Sequence, residues 1–119
     1  MKKMVLVYVA GPYNSKTIFG KIYNILRARY WAKKIWRLGF AVICPHSNTA
    51  FFDYWRPIPE SQIMTACVDM INRVDVVYVI PQSDKSRGVR AEINAAREIN
   101  RRVILDFEKL KYYKIGRDQ

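Results

Sequence analysis

One acidic residue of this sequence lies on a predicted apolar helix face, where an ionised carboxylate costs free energy. Glu92 falls within a segment of helical periodicity, and its phase places it on the apolar stripe of that helix rather than opposite it. Burying an ionised carboxylate costs free energy unless the group is paired or hydrogen-bonded, so a buried functional carboxylate is one interpretation. The alternative is a glutamate at the edge of the stripe that reaches solvent or pairs with Arg90. The apolar stripe consists of Val89, Ile93, Ala96 and Ile99.

The turn before the same helix has features of an anion site. Ser86 is a favourable N-cap residue, and Gly88 lets a ligand approach the backbone closely. The first amides of a helix, together with its dipole, attract a phosphate or another anion. Most serines at such positions only cap the helix. The combination with Glu92 six residues after Ser86 favours a binding site.

Two further side chains fall at the ends of predicted strands. Tyr8 lies late in the first strand, where its hydroxyl would reach Glu92 and orient it. The alternative is an ordinary core aromatic. His46, the only histidine, follows the second predicted strand and is either a structural or exposed loop residue or part of the same site.

The order of periodic segments predicts the elements that position these residues. Strands alternate with helices, which requires crossover connections and a parallel sheet. We expect an α/β fold, with a flavodoxin- or Rossmann-like parallel sheet of four to five strands, helices on both faces and ligands at the carboxyl ends of the strands. The predicted strands cover residues 4–10, 40–44, 76–80 and 103–106, and the predicted helices cover about residues 17–38, 61–74 and 86–100.

Length and composition bound the organisation of the chain. At 119 residues, 50% of them hydrophobic, it fits one domain, which we place at residues 1–106. Residues 107–119 form a basic tail with paired tyrosines, either a frayed end or a strap onto a neighbouring subunit. No apolar run approaches the roughly 18 residues of a membrane span, and no signal-peptide pattern is evident, so we expect a cytoplasmic protein without a membrane partner.

Cysteine spacing and charge add two expectations. Cys44 and Cys67 lack metal-ligand spacing, so we expect buried thiols rather than a disulfide, and neither metal nor cofactor. Of the net charge of +11, most lies in residues 1–59, which hold ten Lys/Arg against one acid. Seven of these bases lie in residues 16–37, where there is no acid. This helix surface is either a solvated face or an attractor of anions.

Four segments, in this order and spacing, resemble the nucleoside 2-deoxyribosyltransferase-like superfamily, which includes nucleotide 5′-monophosphate N-glycosidases. They are residues 7–12, 39–46, 75–81 and 86–92, and the resemblance extends over about residues 4–106. It implies that Glu92 is the nucleophile on the anomeric carbon and that Tyr8 orients it. It implies a nucleoside or nucleotide partner and a homo-oligomer. The substrate-binding residues that it implies are Gly11, Pro12, Tyr13, His46, Ser86, Arg87 and Gly88.

The chain departs from the superfamily's pattern at two positions. Family members place an Asp where this chain has Cys67, and helical phase points Asp69 roughly opposite to it. Pro12 lies in a loop where phosphate-using members supply an amide, which proline lacks; Ser15 and Lys16 are candidate replacements. Ser86 resembles the members that act on 5′-monophosphates.

Three functional hypotheses follow. The first is an enzyme that cleaves or transfers at the N-glycosidic bond of a (deoxy)nucleoside or its 5′-monophosphate. The second is a non-catalytic nucleotide-binding or sensing module, which the loss of an acid at Cys67 favours. The third is a nucleic-acid-binding protein that uses the basic first helix with Tyr30, Trp31 and Trp36. The third is disfavoured, because stacking platforms normally lie on exposed loops or sheets.

Overall fold

The structure, a computed structural model, describes residues 4–13, 15–45 and 58–118. Strands and helices alternate along these ranges, close to the predicted bounds. The strands are β1 (Leu6–Ala10), β2 (Ala41–Ile43), β3 (Val76–Val79) and β4 (Arg102–Ile104). The helices are α1 (Ile18–Arg37), α2 (Glu60–Ile71), α3 (Arg87–Glu98) and α4 (Phe107–Asp118).

The four strands form one parallel sheet in the order β2-β1-β3-β4. In its centre Tyr8 of β1 pairs with Val77 of β3 on one side and with Ile43 of β2 on the other. The two central strands are continuous apolar runs because both of their faces are covered by helices. The predicted α/β class with a flavodoxin-like parallel sheet is therefore confirmed.

The helices form two layers, one on each face of the sheet. Successive side chains of β1 point to opposite faces, so Val7 and Val9 pack in the layer of α1 and α4, whereas Tyr8 and Ala10 pack in the layer of α2 and α3. The buried thiol of Cys44 belongs to the first layer and that of Cys67 to the second. Both cysteines are free, as the sequence predicted.

The C-terminal residues correct one expectation. Residues 107–118 form helix α4, and Leu110 on this helix is completely buried against the sheet. The ring of Phe107 lies 5.6 Å from that of Trp31 and 6.1 Å from that of Tyr78. A frayed end is therefore wrong for this segment, because apolar burial and ring contacts hold it on the core.

Candidate functional site

Glu92 lies on α3, and only 9% of its surface is exposed. Burial raises the pKa of its carboxyl group from the ordinary 4.5 to about 7, and the nearby hydroxyl of Tyr8 acts in the opposite direction. Arg90 is exposed to solvent, and no ion pair to Glu92 forms within the described ranges. The burial expected from helical phase is confirmed.

Tyr8 is completely buried at the centre of the sheet, on the face that α3 covers. Its hydroxyl interacts with Glu92 and with the Cys67 thiol, yet among the described residues no well-formed hydrogen bond satisfies it. Burial, followed by the negative charge of Glu92, raises the pKa of this hydroxyl far above its ordinary value. Tyr8 is therefore a neutral proton donor facing a carboxyl group, and its role in orienting Glu92 for catalysis stays a prediction.

Cys67 completes a cluster of three titratable side chains. It lies on α2, is buried, and belongs to the same apolar layer as Tyr8. Burial raises the pKa of its thiol, the nearby hydroxyl of Tyr8 lowers it, and the charge of Glu92 raises it. Asp69 points away, as predicted, and forms an exposed 3.0 Å ion pair with Arg73. Because the Tyr8 hydroxyl and the Cys67 thiol stay protonated, Glu92 is the one group of this cluster that holds negative charge near neutral pH.

The turn before α3 presents free polar groups. Ser86 is the N-cap residue, as predicted, but its side chain makes no capping hydrogen bond. A side chain at Gly88 would meet no atom within 4 Å, so this glycine faces open space. Arg87, the first residue of the helix, is exposed. This geometry leaves the Ser86 hydroxyl and the start of the helix accessible to a ligand.

Two residues that the sequence did not single out hold this turn in place. The buried Ser83 hydroxyl donates to the carbonyl of Ile80. Arg27 of α1 donates to the carbonyl of Pro81, and Gln82 adopts a left-handed φ of 65°. A serine in a turn is a recognisable signal. The Arg27 contact joins residues 54 positions apart, so no local pattern predicts it.

The loop after β1 has a packing role that its sequence does not reveal. A Cβ on Gly11 would lie 2.4 Å from Cδ1 of Ile80, so a larger residue where β1 ends would force the Ile80 side chain to move. The carbonyl of Tyr13 accepts a 3.2 Å hydrogen bond from the side chain of Asn24, and Pro12 is half-buried. These three loop residues remain predicted substrate contacts. His46 lies outside the described residues.

No group of three or more His, Cys, Asp or Glu side chains in the described ranges is arranged to hold a metal ion. None of the helices described is long and apolar enough to cross a membrane.

The parallel sheet, its two helical layers and the cluster at Glu92 define a flavodoxin-like α/β protein with a candidate site between β1, α2 and α3. A family model described as "Domain of unknown function (DUF4406)" matches residues 5–105, and the chain belongs to this family. No curated protein matches the sequence.

Solved structures share the fold, among them the two that follow. A conserved protein from Enterococcus faecalis V583 superposes with a TM-score of 0.68 at 21% identity, covering 85% of this chain and 62% of that protein. A 2-deoxyribosyltransferase from the psychrotolerant bacterium Bacillus psychrosaccharolyticus superposes with a TM-score of 0.58 at 17% identity, covering 83% of this chain and 69% of that enzyme. The chain thus spans less than two thirds of the Enterococcus protein. At these identities the likeness establishes the fold alone.

Proposed function

We propose that this protein cleaves or transfers at the N-glycosidic bond of a (deoxy)nucleoside or its 5′-monophosphate, with Glu92 as the nucleophile. The observation that carries the proposal is the buried Glu92 carboxyl group facing the unsatisfied hydroxyl of Tyr8. A strongly perturbed carboxylate with a specific polar partner is typical of functional sites. The fold shared with a 2-deoxyribosyltransferase supports the same reaction class.

The chemistry follows from what a carboxylate can do at an anomeric carbon. A carboxylate oxygen of Glu92 bonds to C1′ as the bond from C1′ to the base nitrogen breaks, and the electron pair of that bond leaves with the base. In the second step water or another base attacks C1′ as the ester bond from C1′ to Glu92 breaks, which releases the carboxylate; the proton that the attacking group loses balances the one that the departed base takes up. In the substrate complex the hydroxyl of Tyr8, which has no hydrogen-bond partner among the described residues, would donate to the carboxylate and hold it in position. Because burial raises the pKa of Glu92 to about 7, both its ionised and its protonated forms are populated near neutral pH.

The turn before α3 supports a phosphate-bearing substrate. The Ser86 hydroxyl is not used for capping, and Gly88 leaves the start of the helix open. Helix N-termini with such groups bind phosphate oxygens. A 5′-monophosphate held there would be oriented by contacts remote from the reacting bond, which is a general way to use binding energy for catalysis.

Cys67 limits the rate that this site achieves. A protonated thiol is a weak hydrogen-bond donor, and it offers little help to a departing base. General acid assistance is typically worth about 10² to 10⁴ in rate, so turnover is expected to be slow. The same thiol favours the second candidate function, a nucleotide-binding module without efficient chemistry.

The decisive experiment follows free base by chromatography. The protein is incubated with nucleosides and 5′-monophosphates, with and without an acceptor base, alongside Glu92→Gln. Glu98→Gln is the matched control, because Glu98 is an exposed glutamate on the same helix. We expect release by the wild type and by Glu98→Gln and none by Glu92→Gln. Release that persists in Glu92→Gln contradicts the nucleophile assignment. Thermal stabilisation by a monophosphate with no release from any substrate favours the binding module.

A further inference from the structure

The residues described around Glu92 are poor proton donors for a departing base. Within the described ranges, the titratable side chains that face Glu92 from neighbouring elements are Tyr8 on β1 and Cys67 on α2. From β3 the same layer receives the apolar side chains of Val77 and Val79. Burial raises the pKa of the Tyr8 hydroxyl and of the Cys67 thiol above their ordinary values. Groups of such high pKa are weak general acids near neutral pH.

The surroundings of Glu92 are also apolar. Only 9% of its surface is exposed, and Val89, Ile93 and Ala96 are buried on the same helix. Charge is costly in such surroundings, and the rise in the pKa of Glu92 to about 7 is a direct result of that cost. A reaction that removes charge from this interior is therefore favoured over one that only moves charge between two groups.

The charge of the base decides which of these two reactions occurs. If the base is neutral and no acid protonates it, the electron pair of the bond from C1′ to nitrogen leaves with the base, and the negative charge of Glu92 passes to that base. If the base is cationic, the same electron pair cancels its positive charge, so Glu92 and the base both become neutral. The second reaction needs no proton donor, and the opposite charges attract each other strongly in a medium of low dielectric constant.

The second step is balanced for a cationic base as well. Water attacks C1′, the ester bond from C1′ to Glu92 breaks, and the carboxylate is released. The attacking water loses its proton to the solvent. One turnover thus converts a cationic nucleoside and water into a neutral base, the free sugar and one proton.

A cationic base also favours the reactive form of Glu92. An opposite charge within about 4–6 Å lowers the pKa of a carboxyl group. In the free protein the pKa of Glu92 is about 7, so part of the population is protonated near neutral pH and cannot attack C1′. A bound cation shifts Glu92 towards the ionised form, whereas a neutral base leaves the protonated fraction in place.

We propose that the substrates of this site are nucleosides or nucleotides with a positively charged base, such as an N-alkylated purine or pyrimidine, and that Cys67 disfavours the release of neutral bases. The inference rests on the reaction proposed for Glu92 and narrows its substrate class. The buried position of Glu92 in an apolar layer, beside the thiol of Cys67, carries it.

Substrates that differ by one methyl group test the proposal. The pairs are N7-methylguanosine with guanosine and N3-methylcytidine with cytidine, each also as the 5′-monophosphate. In each pair the methyl group gives the base a positive charge near neutral pH. Free base is measured with the wild type, and each rate is divided by the uncatalysed rate, because cationic bases also depart faster in water. We expect the rate enhancement to be about 10² to 10⁴ larger for the cationic member, which is the usual contribution of a general acid.

Substitution of Cys67 tests its part in this preference. Cys67→Asp supplies a proton donor, because burial holds such a carboxyl group protonated near neutral pH. We expect it to speed release from the neutral members and to narrow the difference within each pair at least about tenfold. Cys67→Asn has the same size without the acidic proton, and we expect the difference to persist. If Cys67→Asp does not fold, the wild-type comparison still decides.

The pH profiles of the wild type give a second measurement. The acid limb of kcat reports the substrate complex, and that of kcat/KM reports the free protein. We expect the limb of kcat to lie at lower pH than that of kcat/KM for a cationic substrate. Coincident limbs overturn the proposal. Equal rate enhancements for charged and neutral members overturn it too, while the proposed reaction of Glu92 stands. Free base from none of the substrates overturns both.

Discussion

The Tyr8 hydroxyl on β1 and the Glu92 carboxyl group on α3 interact within an interior that solvent scarcely reaches. Each group shifts the pKa of the other, and the two shifts are opposite in sign. The charge of Glu92 raises the pKa of Tyr8, whereas the hydroxyl of Tyr8 lowers the pKa of Glu92 against the larger effect of burial. The proton therefore stays on Tyr8, and the acid limb of any Glu92 chemistry lies close to neutral pH.

The first prediction concerns stability. The pKa of Glu92 is about 7 in the folded protein against an ordinary 4.5, so between these values the folded chain keeps a proton that the unfolded chain releases. The free energy of unfolding therefore falls as pH rises through this window, by at most about 3 kcal/mol. Glu92→Gln removes this dependence. Urea denaturation at about pH 5 and about pH 8 measures it, and an equal pH dependence in both proteins contradicts the burial of Glu92.

The second prediction concerns Tyr8→Phe. Removing the hydroxyl removes the interaction that lowers the pKa of Glu92, so the acid limb of kcat/KM for base release moves to higher pH. Tyr78→Phe is the control, because the Tyr78 hydroxyl is also buried, without a hydrogen-bond partner among the described residues, but packs in the opposite layer. We expect the pH profile of Tyr78→Phe to match that of the wild type. An unchanged acid limb in Tyr8→Phe shows that Tyr8 does not position Glu92.

The third prediction separates binding from capping. Ser86 makes no capping hydrogen bond, so Ser86→Ala leaves the melting temperature nearly unchanged while raising KM for a 5′-monophosphate. Thr17 accepts a 3.0 Å hydrogen bond from the amide of Gly20 at the start of α1. Thr17→Ala therefore costs about 1 kcal/mol of stability and leaves KM unchanged. Calorimetry and steady-state kinetics distinguish the two, and destabilisation by Ser86→Ala would falsify the assignment of a free hydroxyl.

The fourth prediction concerns the junction of β1 and β3. Gly11→Ala places a methyl group against Cδ1 of Ile80 and is expected to destabilise the fold by about 1–3 kcal/mol. Ile80→Val removes that δ-carbon. In a double-mutant cycle the combined variant should lose less stability than the sum of the two single changes. Additive losses show that the two residues do not clash.

The sequence was most informative where periodicity and burial agree. The apolar runs of β1 and β3 predicted central strands, and helical phase placed Glu92 inside the protein and Asp69 outside it. Capping preference located the start of α3 at Ser86, although it suggested a use for the hydroxyl that the structure does not show.

Other features depend on contacts between distant parts of the chain. Residues 107–118 lack a strong apolar stripe, and their helix is held by Leu110 and by the ring of Phe107 against the sheet. The bond from Arg27 to the Pro81 carbonyl and the approach of Ile80 to Gly11 likewise arise only once the sheet has formed. The sequence around each of these residues does not predict which distant residue it contacts.

The alternation of side chains along β1 has an evolutionary consequence. Tyr8 faces the Glu92 cluster, while its neighbours Val7 and Val9 face α1 and α4. Substitutions beneath α1 and α4 can therefore accumulate under selection for packing alone, whereas those beneath α2 and α3 are also constrained by the Glu92 cluster. Relatives should diverge faster in the first layer, and a mutational library confined to it should change stability with little effect on the chemistry.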